Sequence, residues 1–115
     1  MKHLGKVGED LAADLCREKG FTVLERNYRT PFGEIDIIAK DGDIFVFIEV
    51  KARTNDAYGV PFEAVTSSKR VKITKVAMSY MRRFKKEMPA RFDVISISMQ
   101  SGKPDVTYIQ DAFEV

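Results

Sequence analysis

An α/β fold with a mixed β-sheet flanked by helices, in the order αβββαββ, is what the sequence predicts. Three observations predict it. Two segments carry apolar residues at helical spacing, around residues 4–19 and 66–84. Between and after them lie short runs rich in β-branched and aromatic residues. The motif Asp41-Gly42-Asp43 between two of those runs is a tight-turn signal that folds them into a hairpin. Strands separated by a helical segment, together with strands joined by a turn, give a sheet with both parallel and antiparallel pairs.

In chain order, Leu4, Val7, Leu11 and Leu15 define the first helix, and Gly20 supplies its stop. Phe21 to Tyr28 reads as a strand that ends near Pro31. Gly33 to Ala39 and Ile44 to Ala52 are the second and third strands. The third is apolar on both faces until Glu49, which predicts a central place in the sheet. Residues 53–65, with Gly59 and Pro61, read as a loop. A second helix is expected from Thr66–Ser68, where three hydroxyl residues offer an N-cap. Its stripe is Ile73, Val76, Ala77, Tyr80, Met81 and Phe84, and Pro89 closes the region. A fourth strand is expected from Phe92 to Ser98 and a fifth from Val106 to Ile109.

The 115 residues suffice for one core and not for two. With 44% hydrophobic and 31% charged residues, the chain is neither disordered nor fibrous in composition. Ile44 to Ile48 is an apolar run of five residues, whereas a membrane-spanning helix needs about 20. No segment after Lys2 resembles a signal peptide. Cys16 is the sole cysteine, which excludes an internal disulfide and multi-cysteine metal sites, and a reducing, cytoplasmic setting without membrane contact is expected. The net charge of +2 conceals a division: residues 51–91 hold eleven Lys/Arg against Asp56, Glu63 and Glu87. Such a basic stretch suits a polyanion, although a solvated helix face accounts for it equally well.

The residues that carry chemistry lie on the hairpin: Gly33-Glu34-Ile35-Asp36 and Glu49-Val50-Lys51. In an antiparallel pair the numbers of opposed residues have a constant sum. An Asp41-Gly42 turn gives 83 and sets Asp36 across from Phe47 and Glu34 across from Glu49; a Gly42-Asp43 turn gives 85 and sets Asp36 across from Glu49. Either register puts Asp36, Glu49 and Lys51 on one face. Carboxylates side by side repel. Paired, they make a hard-oxygen site for Mg²⁺ or Mn²⁺, and a neighbouring lysine can assist a water or neutralise charge on a phosphate. The plain alternative is a solvent-facing ion pair from Lys51 to Glu49 or Asp36.

Glu9 is a third acidic candidate, on a helix whose Gly5, Ala12 and Ala13 permit close approach to a sheet; a first-turn glutamate favoured by the helix dipole explains it as well. Lys69, four positions before Ile73, leans toward the buried stripe and reaches the active face or else snorkels. Tyr28, Tyr58 and Phe62 either cover the core edge, the preferred reading, or stack on bases. His3 receives no role, and Cys16 is expected to pack.

Gly8-Glu9, Gly20-Phe21, Arg26-Asn27-Tyr28-Arg29, Gly33 to Ala39, Glu49 to Arg53, Ala64-Val65, Lys69 and Arg91 to Ile95 form an ordered series. In that series the sequence resembles the YraN-like family of small bacterial proteins. That family is similar to archaeal Holliday-junction resolvases of the PD-(D/E)xK superfamily. The likeness runs from about residue 5 to 98 and implies one restriction-endonuclease-like domain over residues 1–115. It implies that Asp36 and Glu49 bind Mg²⁺ or Mn²⁺ with the Val50 carbonyl, that Lys51 is the catalytic lysine, and that Glu9 is the first-helix acid. The superfamily's proline before the aspartate is absent, and Ile35 stands there. The function implied is a metal-dependent nuclease hydrolysing DNA, including branched or recombination intermediates, and acting as a homodimer. Arg53, Lys69, Arg70 and Lys72 would contact phosphates. A non-catalytic nucleic-acid-binding or adaptor module on the same fold is the alternative, and a metal-free structural protein is a third reading.

Overall fold

The computed structural model describes residues 2–53, 67–84, 87–100 and 102–113, with the side chains of residues 2–5, Arg53, Met99 and Gln100 outside that set. Its elements are α1 (Lys2–Glu18), β1 (Thr22–Thr30), β2 (Gly33–Asp41), β3 (Ile44–Arg53), α2 (Ser67–Met81), β4 (Ala90–Gln100) and β5 (Lys103–Phe113). The predicted class and element order are those observed. Among the described residues, no helix is long and apolar enough to cross a membrane.

α1 ends as Gly20 predicts. The Gly20 N–H donates to the Arg17 carbonyl and the Phe21 N–H to the Cys16 carbonyl, both at 3.0 Å. Gly20 has φ +87°, the left-handed residue of a Schellman cap. The helix turns its small residues inward: Ala12, Ala13 and Cys16 are fully buried, whereas Leu11 and Leu15 are only partly so. A Cβ on Gly8 would come within 3.0 Å of Ala52 Cβ, so the seam of small residues sets how closely the helix lies on the sheet.

The five strands run in spatial order β1-β2-β3-β4-β5, antiparallel except for the parallel pair β3–β4. β3 is the middle strand, as its two apolar faces predict. The β2–β3 hairpin pairs Asp41 with Ile44 and Ile37 with Ile48, the register whose sum is 85. Gly42, at φ +61°, takes the first turn position.

The core has two layers. α1 covers Ile37, Ala39, Val46, Ile48, Ile95 and Ile97. α2 covers Ile38, Phe45, Phe47 and Val94 through Ile73, Val76, Ala77 and Tyr80. Ile35 packs on the α2 side although Ile37, two residues on, packs on the α1 side. Strict alternation therefore breaks around Asp36.

Two expectations require correction. α2 stops at Met81, so Phe84 lies beyond it, 43% exposed while still resting on Phe45 with ring centroids 5.0 Å apart. The fifth strand is far longer than Val106–Ile109. As an edge strand it needs no apolar alternation along its polar start, Lys103 to Asp105, because β4 supplies its hydrogen bonds.

Candidate active site

The β2–β3 ladder has its last pair at Ile37 and Ile48. One step further the same register sets Asp36 across from Glu49. There a side chain takes over from the ladder, the Val50 N–H donating to Asp36 Oδ2 at 2.8 Å. The two carboxylates share a cavity of about 420 Å³ with Gly33, Glu34, Ser68, Lys69, Lys72 and Ile73. Its floor is the end of the hairpin and its wall is the first turns of α2.

Glu49 is 7% exposed and is held by two ammonium groups. Lys51 Nζ stands 3.3 Å from Glu49 Oε1, and Lys69 Nζ pairs more closely with the same oxygen. A buried carboxylate needs such partners.

Among the described residues, Asp36 forms no ion pair of that kind. Burial, then the charge of Glu49, pushes its carboxyl up to about 7, against the pull of the Val50 N–H. The Lys51 ammonium is weakened by burial and then by Lys69 beside it. Burial is the largest influence on Lys69 and opposes its charge, yet the bonds to Glu49 and Lys51 and the charges of Glu49 and Asp36 together outweigh it and raise its pKa. The site thus places a carboxyl that titrates near neutrality beside a softened lysine and a firmly charged one.

Asp36, Glu49, Lys69 and Lys72 line one cavity, and Lys51 joins them through its ion pair with Glu49. Glu9 does not join them. α1 packs against the opposite face of the sheet, and Glu9 Oε2 accepts from Asn27 Nδ2 at 3.4 Å, reaching Asp36 only as the weakest of the charges that raise it. Among the described residues, no three His, Cys, Asp or Glu side chains gather closely enough to hold a metal ion together. Val50 offers Asp36 its N–H. Arg70 lies over the Phe113 ring, 5.3 Å from its centroid, and is not part of the cavity wall.

Tyr28 packs edge-on against Tyr80, with centroids 5.1 Å apart, as a core-edge residue should. Tyr58, Phe62 and the Arg53 side chain lie outside the described residues. Ser68 is a wall residue that sequence reasoning offered only as a helix cap.

A second polar cluster was also illegible in the sequence. Asp93, fully buried, accepts from Arg91 Nε at 3.0 Å, from the Tyr108 hydroxyl and from the Asp111 N–H at 2.9 Å. Arg91 Nη1 also reaches Asp41 Oδ2 at 3.0 Å. The β4–β5 register shifts between Phe92 and Val94, and Asp111 stands there at φ +53°. Asp93 supplies the acceptor that the interrupted ladder lacks.

Comparison with known proteins agrees with the sequence reading of kinship. A UPF0102 protein of Thermodesulfovibrio yellowstonii is 50% identical over 110 residues, covering 96% of this chain and 95% of the relative. One from Syntrophus aciditrophicus is 46% identical, covering 96% and 88%. One from Dictyoglomus thermophilum is 47% identical, covering 97% and 98%. Among solved structures, Pyrococcus furiosus SfsA in complex with Ca²⁺ aligns with a TM-score of 0.37 and 12% identity, over 99% of this chain and 65% of that one. The profile of the uncharacterised protein family UPF0102 matches residues 8–97, and with these near-half-identical relatives it makes the chain a member of that family, the YraN-like proteins.

Proposed function

We propose that the protein is a divalent-metal-dependent nuclease that hydrolyses phosphodiester bonds in DNA, branched intermediates included. The observation that carries this reading is the pairing of Asp36 with Glu49 at a cavity whose opposite wall is Lys69 and Lys72. Two adjacent carboxylates fit Mg²⁺ or Mn²⁺, which bind through one or two carboxylates and take their remaining ligands from water and phosphate. Asp36, Glu49 and the Val50 carbonyl would hold the ion, and the ion would supply Lewis-acid charge at the scissile phosphate.

The chain's own groups do the rest. Lys51, whose ammonium is weakened by burial and by Lys69, orients the attacking water and, once it has released its own proton to solvent, accepts the water's proton as the new bond to phosphorus forms and the ester oxygen departs. Lys69 and Lys72 offset charge on the phosphate. Water attack needs no oxidant or second substrate.

One observation favours the non-catalytic alternative. Glu49 is already paired with Lys69, so one of the two carboxylates is satisfied as it stands. Cleavage separates the two. With Mg²⁺ or Mn²⁺, the wild type should cut linear, flapped or four-way-junction DNA, and Asp36→Asn, Glu49→Ala and Lys51→Ala should each lose at least ~100-fold, the scale of one acid–base or electrostatic contribution. Mutants that cut as well as wild type would remove the site assignment. Salt-dependent binding without cleavage in any of them would favour the binding module.

A further inference from the structure

Five large apolar side chains are exposed among the described residues, and four of them gather around α2: Val71 and Met78 on it, Phe84 just past it, and Phe32 on the β1–β2 turn that rests against it. An isolated exposed phenylalanine is ordinary. Phe32 differs in its support and its company. The Phe32 N–H donates to Thr30 Oγ1 at 3.1 Å, which fixes the turn. A Cβ on the next residue, Gly33, would meet Lys72 Cβ at 3.5 Å and Val76 Cγ2 at 3.7 Å, so the turn is seated on the helix.

The ring nevertheless points outward, 53% exposed, with Lys75 Nζ 6.0 Å from its centroid. Gly33 and Lys72, which flank it, both line the carboxylate cavity. An apolar ring on a fixed turn therefore stands one residue from the candidate site, among lysines.

The charge decides what covers this face. From residue 67 to 84 the chain has six Lys/Arg and no Asp/Glu. A second copy stacked on the same face would oppose cation to cation, whereas a nucleic-acid strand brings phosphates to the lysines and flat bases to the ring.

We propose that Phe32 is a stacking platform for an unpaired nucleobase next to the phosphodiester held in the cavity, with Lys72 and Lys75 bracketing the strand. This rests on the nuclease reading and narrows it. Bases inside a duplex are stacked on each other and offer no free face, so the substrate class is DNA with unpaired bases at the cut: single strands, flaps and opened junctions.

The test is binding in EDTA, where no cleavage occurs, by fluorescence anisotropy of a labelled single-stranded oligothymidylate and a blunt duplex of equal length. Phe32→Ala should weaken single-strand binding about tenfold, the scale of one base–aromatic stack, and leave duplex binding within about twofold, since phosphate contacts alone carry it. Phe32→Tyr should restore the loss. The chain has no tryptophan, so Phe32→Trp adds a single indole, and the single strand should quench its emission while the duplex leaves it unchanged.

Single-strand binding by Phe32→Ala equal to wild type overturns the proposal. So does equal loss on both DNAs, or a Phe32→Ala effect confined to the sedimentation of a dimer, which would make the face a contact between copies. A wild type that cuts nothing while Phe32 still discriminates between the two DNAs sinks the nuclease reading alone. Normal cleavage with a silent Phe32→Ala sinks the platform alone.

Discussion

Glu49, Asp36 and Cys16 carry ionisable groups where water is scarce, and each is settled differently. Glu49 is neutralised by two ammonium groups, Asp36 by one backbone N–H and a raised pKa, and Cys16 by staying protonated. Burial, followed by the charge of Asp93, pushes the Cys16 thiol from 9.0 up to about 11. The folded state therefore holds a proton that the unfolded chain releases near pH 9. Its contribution is fully present below pH 9 and is lost as pH rises toward 11. Cys16→Ala leaves a cavity whose cost does not depend on pH. The stability gap between wild type and Cys16→Ala, measured by urea denaturation, should thus narrow by about 2 kcal/mol between pH 7.5 and 10.5. An unchanged gap would show that the thiol is not shielded as its burial indicates. Much of this chemistry was legible: strand alternation and a turn signal bring Asp36, Glu49 and Lys51 to one face, and helical spacing aims Lys69 inward. The motif position of Glu9 does not reveal which face of the sheet α1 covers, and the structure sets Glu9 outside the cavity lining with its charge still felt by Asp36.

α1 is held by closeness more than by bulk. Its seam is Gly8, Ala12 and Cys16, and the facing strands β3 and β4 present Ala52 and Ile97. A larger residue at Gly8 gains helix propensity, worth about 1 kcal/mol at most, but meets Ala52 Cβ at 3.0 Å and Ile97 Cδ1 at 3.6 Å. Gly8→Val should therefore be net destabilising by about 1–3 kcal/mol, read as a lower denaturant midpoint at unchanged slope. A midpoint at or above wild type would mean that the helix floats free of the sheet. The leucine spacing revealed that a helix exists here and misjudged which residues touch the sheet, since periodicity weighs hydrophobicity and a close seam selects for small size. The β2–β3 hairpin was the most legible element, because a two-residue turn leaves only two registers. β5 was the least legible, because an edge strand draws its order from its neighbour.

Across the molecule, Arg91 and Asp93 join parts that are distant in sequence. Arg91 reaches Asp41 at the β2–β3 turn, and Asp93 binds Tyr108 and the Asp111 amide on β5. Removing the acid takes one of the two carboxylates from a nearly buried guanidinium and strands a hydroxyl and a backbone N–H with it. Asp93→Ala should cost about 3–5 kcal/mol, whereas Asp105→Ala on the exposed start of β5 should stay within about 0.5 kcal/mol. Thermal or urea unfolding of the two variants compares them, and equal effects would contradict the network. None of this cluster follows a local period, so the sequence offers Asp93 only as a strand residue within the Arg91 to Ile95 stretch of the family series, with no sign of its partners. The same irregularity has a bearing on how copies of the chain meet. Both outer strands are interrupted: β1 shifts register between Val23 and Glu25 and carries Asn27 at φ +52°, and β5 is displaced opposite Asp93 and carries Asp111 at φ +53°. A bulged border twists away from the straight line that a neighbouring strand would follow, and charged side chains along it deter stacking. The sheet therefore ends itself at five strands, and crowded copies find no flat rim from which a fibre could grow.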